Sequence, residues 1–159
     1  MKINNWKDKA IKRSLEKEAD EVTTSTNQDG PNQPPQLKIL IVEDDIISTS
    51  FLSIAVGKYS KETIKVRSGK DAVQVCRDHH DIDLILMDIE LPEMDGHEAT
   101  RQIRLFNPNV IIIAQTAFAF SGQRELALEA GCNEYITKPV HKQVLTGLIE
   151  KHFPSLPQA

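Results

Sequence analysis

The stretch Leu84-Ile85-Leu86-Met87-Asp88-Ile89-Glu90-Leu91-Pro92-Glu93-Met94-Asp95-Gly96 decides the fold. Its first four residues form an unbroken apolar run, the pattern of a strand covered on both faces of a parallel sheet. Asp88 stands where that run ends. An ionised carboxylate deep inside a sheet is costly, but at a strand's carboxyl end it can meet solvent, a cation or a ligand. Leu91-Pro92 and Asp95-Gly96 are turn signals, so the chain reverses there and restarts as a helix. One acid is thereby presented at the lip of a parallel sheet.

Upstream, Leu37–Val42 is a second buried run, closed by the acid cluster Glu43-Asp44-Asp45. Residues 46–58 carry Ile47, Phe51, Leu52, Ile54 and Ala55 at helical spacing, residues 63–66 alternate as a short strand, and residues 71–77 read as a helix with Ala72, Val73, Val75 and Cys76 inward. Downstream, the spacing predicts a helix over 97–106, a buried strand over 110–114 running out at Gln115-Thr116, and a helix over 123–130 stopped by Gly131. A last strand, Glu134–Thr137, precedes Lys138-Pro139 and a final helix over 141–151. Strand and helix alternate throughout. Right-handed crossovers then place helices on both faces of one parallel sheet, an α/β doubly wound fold.

The remaining sequence bounds what the chain can do. At 159 residues there is room for one domain and a tail. We divide it into a charged N-terminal segment and Pro-rich linker (1–36), a domain (37–153) and a short tail (154–159). Ile3, Trp6, Ala10, Ile11, Leu15, Ala19 and Val22 recur at loosely helical spacing, before a polar stretch that should be extended near Pro34-Pro35. A net charge of -4 argues against direct nucleic-acid binding. No apolar run approaches the roughly 20 residues of a membrane span, and Met1 to Trp6 lack the apolar core of a secretory signal. A cytoplasmic location is the expectation, with Cys76 and Cys132 as buried or neutral thiols. His79-His80-Asp81 is read as a polar helix-to-strand loop without a third metal ligand, and His97 as an exposed polar residue.

The ends of the strands carry the chemistry: Glu43 and Asp44 after the first, Asp88 after the third, Thr116 after the fourth, Lys138 after the fifth. Three converging acids repel one another and push at least one pKa upward unless a cation sits among them. An oxygen-only set with open positions suits Mg²⁺. A hydroxyl and an ammonium suit the remaining oxygens of a phosphoryl group, so the parts match a phosphoryl-transfer site.

These residues resemble the receiver domain of two-component response regulators. The resemblance rests on Ile39-Leu40-Ile41-Val42-Glu43-Asp44-Asp45, Leu86 to Gly96, Thr116-Ala117 and Tyr135-Ile136-Thr137-Lys138-Pro139, and covers about residues 37–152. It implies a flavodoxin-like (βα)5 fold with strand order 2-1-3-4-5. It also implies that Asp88 is the phosphoacceptor, and that Glu43, Asp44, Asp88 and the backbone carbonyl of Glu90 hold Mg²⁺. Thr116 would then hydrogen-bond one phosphoryl oxygen and Lys138 another, with Lys138-Pro139 cis. The small Ala117 leaves the phosphate room to enter. Tyr135 takes the aromatic switch position, turning inward when phosphorylation draws Thr116 in and remodels the face of the fourth helix, last strand and fifth helix.

The implied function is phosphorelay signalling by a phosphoacceptor rather than a turnover enzyme, with a histidine kinase or histidine phosphotransfer domain as donor. That remodelled face offers a possible homodimer contact. Met94 to Ala99 and Ala130 to Tyr135 are similar to receivers of hybrid sensor histidine kinases. Two departures stand out. Glu43 replaces the more usual Asp, and the bulky Phe118 with the acidic Glu90 border the path of the hydrolytic water, where they should set the lifetime of the phosphorylated state. The competing readings are a phosphorylation-independent docking module of the same fold and, more remotely, a Toprim-like Mg²⁺-dependent nucleic-acid enzyme. The latter leaves Thr116 and Lys138-Pro139 unexplained.

Overall fold

The computed structural model describes residues 36–118 and 122–157, and the charged and Pro-rich segment read over 1–36 lies, except for Gln36, outside the described residues. The strands are β1 (Leu37–Val42), β2 (Ser60–Val66), β3 (Leu84–Asp88), β4 (Ile111–Thr116) and β5 (Glu134–Thr137). Between and after them run α1 (Ile46–Val56), α2 (Gly69–Asp78), α3 (Gly96–Arg104), α4 (Gln123–Ala130) and α5 (Lys142–His152). All pairings are parallel and the order is β2-β1-β3-β4-β5, the flavodoxin-like topology.

Strand periodicity sorts the core into two layers. Leu40, Val42, Ile85, Met87, Ile112 and Ala114 face α2, α3 and α4, where Ala72, Cys76, Ala99, Ile103 and Ala127 meet them. Ile39, Ile41, Leu84, Leu86 and Ile113 face the other way, against Leu52, Ala55 and Val56 of α1 and Leu145 and Ile149 of α5. Because β1 and β3 are covered on both faces, their runs contain no alternation for the eye to find. Leu156, beyond α5, is buried in the second layer.

The helices start where the local chemistry satisfies their first amides. Asp45 caps α1 by accepting from Ser48 N at 2.7 Å, and Asp95 caps α3 by accepting from Glu98 N at 2.8 Å. Gly131 ends α4 with φ 106°, a left-handed conformation that glycine adopts without penalty. Several boundaries differ from the sequence reading. β2 begins at Ser60 because its polar first half lies on the sheet edge, and α1 gives way at Gly57 to a tight turn through Tyr59. α3 ends at Arg104, two residues before Phe106.

The helical spacing in α1 holds, but its apolar residues do not all face inward. Leu52, Ala55 and Val56 are buried, whereas Ile47 and Ile54 are 79% and 78% exposed. The helix is apolar almost all round, so some of that surface necessarily faces outward.

Register completes the arrangement. Val42 pairs with Met87, Met87 with Ala114, Asp88 with Gln115, and Thr116 with Thr137. The carboxyl ends are therefore level, and the β1–β3 junction is the point where the strand order reverses. That is where such sheets open a crevice.

Candidate functional site

Asp88 ends β3 and is almost wholly buried, so its carboxylate depends on neighbours for its hydrogen bonds. Lys138 Nζ donates to Asp88 Oδ2 at 2.8 Å, and Glu90 N donates to Oδ1 at 3.1 Å. The same ammonium donates to Glu43 Oε2 at 2.8 Å, while Asp45 N reaches Glu43 Oε1 at 3.2 Å. Lys138 thus bridges two buried acids from separate strands. Its position is fixed by Lys138 N, which donates to Thr116 O at 2.7 Å, and by the following peptide to Pro139, which is cis.

Electrostatics follow from that burial. Burial raises the Glu43 pKa, and the nearby Asp88 raises it further, against the partial relief given by Lys138. Burial by itself would lower the Lys138 pKa, but hydrogen bonds and charge from Asp88 and Glu43 outweigh it and leave the ammonium raised. Two acids and one cation leave a net negative pocket. Carboxylate oxygens of Glu43, Asp44 and Asp88 lie within 4.8 Å of one another, the only such group among the described residues. Asp44 is exposed, and its carbonyl accepts from Arg67 Nη2 at 2.8 Å. An all-oxygen donor set with one member open to solvent fits Mg²⁺, which keeps several of its waters. The observed ammonium, at 2.8 Å from two of the acids, shows that the pocket already attracts positive charge.

The loop after β3 is held close by glycine. A Cβ at Gly96 would stand 2.2 Å from the Asp88 carbonyl, so only glycine lets the start of α3 approach that turn. On the opposite side Thr116, fully buried, ends β4. Its hydroxyl donates to Glu90 Oε1, and Ala117 N donates to Glu90 Oε2 at 3.0 Å. Phe118 N donates to Thr116 Oγ1 at 3.0 Å, and Tyr135 Oη donates to the Phe118 carbonyl at 2.8 Å, with the ring partly buried against the first core layer. Glu43, Asp44, Asp88 and Lys138 form one cluster; Glu90, Thr116 and Tyr135 form a hydrogen-bonded chain beside it.

Some features escaped the sequence reading. Nothing in the spacing indicates that the Glu90 side chain turns back onto Thr116 and Ala117. Gln115 is fully buried with neither carboxamide atom partnered, at the floor of a cleft of about 340 Å³ lined also by Ile47, Phe51, Lys138 and Pro139. His97, expected to be exposed, is half-buried: Nδ1 has no partner, and burial lowers its pKa. His79 and Asp81 do lie in a loop region, where they face Lys38 Nζ at 3.2 Å each. Both cysteines are free and buried.

Comparison with known proteins covers most of this architecture. The response regulator receiver domain family matches residues 39–150. The polar-differentiation response regulator DivK of Brucella ovis is 39% identical over 104 residues, 64% of this chain and 84% of the relative. The receiver domain of sensor histidine kinase PA1611 from Pseudomonas aeruginosa, solved with a magnesium ion coordinated in its active-site cleft, is similar with a TM-score of 0.68 and 35% identity. That match covers 76% of this chain and 99% of that one. A third likeness, TM-score 0.70 and 32% identity over 79% of this chain and 95% of the other, is to a co-crystal structure from Saccharomyces cerevisiae. It contains the histidine phosphotransfer protein Ypd1 and the receiver domain of its downstream response regulator Ssk1.

Proposed function

This chain belongs to the response regulator receiver domain family, and on that premise we propose that Asp88 is the residue it phosphorylates. The domain works in phosphorelay signalling, with Mg²⁺, as a phosphoacceptor switch rather than a turnover enzyme. One oxygen of the Asp88 carboxylate attacks the phosphorus of a phosphohistidine. The new P–O bond forms as the P–N bond breaks, and the imidazole leaves with the electron pair and takes up a proton. The Lys138 ammonium offsets charge on one phosphoryl oxygen, and the Thr116 hydroxyl donates to another. Glu43, Asp44, Asp88 and the Glu90 carbonyl would hold Mg²⁺, which supplies charge neutralisation for the transferring group. The observation that carries this reading is the 2.8 Å bridge from Lys138 to both Glu43 and Asp88, with Asp44 beside them. Incubation with a phosphorylated histidine phosphotransfer protein tests it. Transfer should give a hydroxylamine-labile acyl phosphate that Asp88→Asn lacks, and label surviving in that variant would overturn the assignment.

The similar Saccharomyces cerevisiae co-crystal structure holds a receiver domain with a histidine phosphotransfer protein. For this chain we infer a donor helix that seats on the exposed Ile47, Phe51 and Ile54 of α1, next to the cleft over Gln115. A homodimer or output contact through α4, β5 and α5 is supported by Leu126 and Val144, apolar side chains about half exposed on either side of β5. The hybrid-kinase reading of the domain, with 1–36 as a connecting segment, 37–153 as the receiver and 154–159 as a tail, has support from the sequence wording and from the likeness to the PA1611 receiver. The single-domain DivK is as good a precedent for a stand-alone regulator. No helix among the described residues is long and apolar enough to cross a membrane.

A further inference from the structure

The Glu90 carboxylate takes up two donors at the end of β4: the Thr116 hydroxyl on Oε1 and the Ala117 amide on Oε2, the latter at 3.0 Å. A threonine hydroxyl has one proton to give, and so does a backbone amide. While Glu90 accepts both, neither is available to a phosphoryl oxygen. Resting on the assignment of Thr116 as the phosphoryl donor, we propose that Glu90 is an internal surrogate for the phosphoryl group, a latch on the resting state that loading of Asp88 has to displace.

Three features of the site support this. A carboxylate accepting from a hydroxyl and an amide is a charge-assisted pair, stronger than neutral hydrogen bonds and hard to share with a second acceptor. A phosphoryl group on Asp88 carries about two negative charges in place of the carboxylate's one, so it competes with Glu90 for the donors and repels it as well. The third feature is mechanical. Glu90 N is bonded to Asp88 Oδ1 at 3.1 Å, so the backbone stays at the acid pocket while the side chain is free to rotate away.

Displacement has somewhere to travel. Thr116 Oγ1 accepts from Phe118 N, and the Phe118 carbonyl accepts from Tyr135 Oη. Segment 116–118 is therefore tied to the turn after β3 through Glu90 and to β5 through Tyr135. When Thr116 exchanges Glu90 for a phosphoryl oxygen, the segment shifts and the anchor of the Tyr135 hydroxyl shifts with it. Glu90 in this way sets how much of the unphosphorylated population is ready to be loaded, since a ligand moves an equilibrium only by its differential affinity for the two states. That is distinct from controlling the lifetime of the acyl phosphate, which is a property of the loaded state.

The test uses the full chain and its Glu90→Gln, Glu90→Ala and Asp88→Ala variants. The Ala117 amide is followed by NMR without any phosphoryl donor, and Mg²⁺-dependent loading is followed with acetyl phosphate and with beryllofluoride. We expect the Ala117 amide to shift and exchange faster in both Glu90 variants. Loading rate and beryllofluoride affinity should rise about tenfold in Glu90→Ala, the effect of removing one charged competitor, and less in Glu90→Gln. An Ala117 amide indifferent to Glu90 overturns the latch. So does wild-type protein that loads through Asp88 while the Glu90 variants load no faster. Loading that appears only once Glu90 is removed supports it. If wild type and Glu90 variants all fail to load, the latch falls together with the Asp88 assignment, an outcome distinguishable from failure of the latch alone.

Discussion

At Gly96 an added Cβ would meet the Asp88 carbonyl oxygen at 2.2 Å and Ile89 Cα at 2.9 Å, both backbone atoms that no rotamer can move aside. Gly96→Ala is therefore expected to destabilise the fold by about 2 kcal/mol, within the usual range for overpacking, and to weaken Mg²⁺ binding by disturbing the turn at Asp88. Urea denaturation with and without Mg²⁺ reads both effects. The thiols give a second residue-level expectation. Burial pushes Cys76 up to about 12 and raises Cys132 as well, so neither is a thiolate near neutral pH. A disulfide-exchange reagent at pH 8 should leave native protein untouched and titrate both cysteines after unfolding; prompt native reaction of Cys76 contradicts its burial. Asp88, Thr116 and Lys138 were legible in the sequence because each stands where an apolar run or a short strand ends. Glu90 was legible as a carbonyl ligand for Mg²⁺ and as a border of the water path, not as the acceptor for Thr116 and Ala117. Which way its side chain folds depends on β4 lying beside β3, a tertiary fact that spacing along one chain does not carry.

At the scale of elements, α5 is moored to β5 by one acid. Glu134 Oε1 accepts from Lys151 Nζ at 2.5 Å and lies 2.9 Å from His152 Nε2. Burial pulls the Glu134 pKa up, but the hydrogen bonds from Lys151 and His152 outweigh it and the folded value lies below the ordinary 4.5. A depressed carboxyl adds stability that is fully present above the unfolded pKa and is lost as pH falls through the folded one. Glu134→Gln should therefore lower stability near neutral pH and flatten its decline below about pH 4.5, as followed by thermal melts across that range. Parallel pH profiles in the two proteins would contradict the mooring. The elements themselves were the most readable level. β1, β4 and β5 were marked by short apolar or alternating runs, and Gly131 stopped α4 where expected. What failed to show was the facing of α1. Ile47 and Ile54 repeat at helical spacing as Leu52 and Ala55 do, and the sheet and α5 together decide which of them are covered.

The molecule as a whole is organised to hold like charges together at the reversal point of its sheet. Glu43 and Asp88 are both about 1% exposed and share one ammonium, so the folded state carries an electrostatic strain that a divalent cation relieves. Saturating Mg²⁺ should stabilise the protein, by about 2.7 kcal/mol at a hundredfold excess over its dissociation constant. Glu43→Gln should reduce that gain and Asp88→Asn should nearly abolish it; an equal thermal shift in Asp88→Asn would place the ion elsewhere. The fold class was legible because strand and helix alternate in sequence from Leu37 to His152 and parallel connections admit few topologies. The charge balance was legible only in outline, since the residues named the participants and the level ends of β1, β3 and β5 brought them within bonding distance. The most direct measurement is the intact mass of the full chain after incubation with acetyl phosphate, with and without Mg²⁺, beside Asp88→Ala. One added phosphoryl group that requires Mg²⁺ and is missing from Asp88→Ala is the predicted result. Fresh protein that gains no mass with Mg²⁺ present, or Asp88→Ala that gains as much as the wild type, would contradict the assignment of Asp88 as phosphoacceptor.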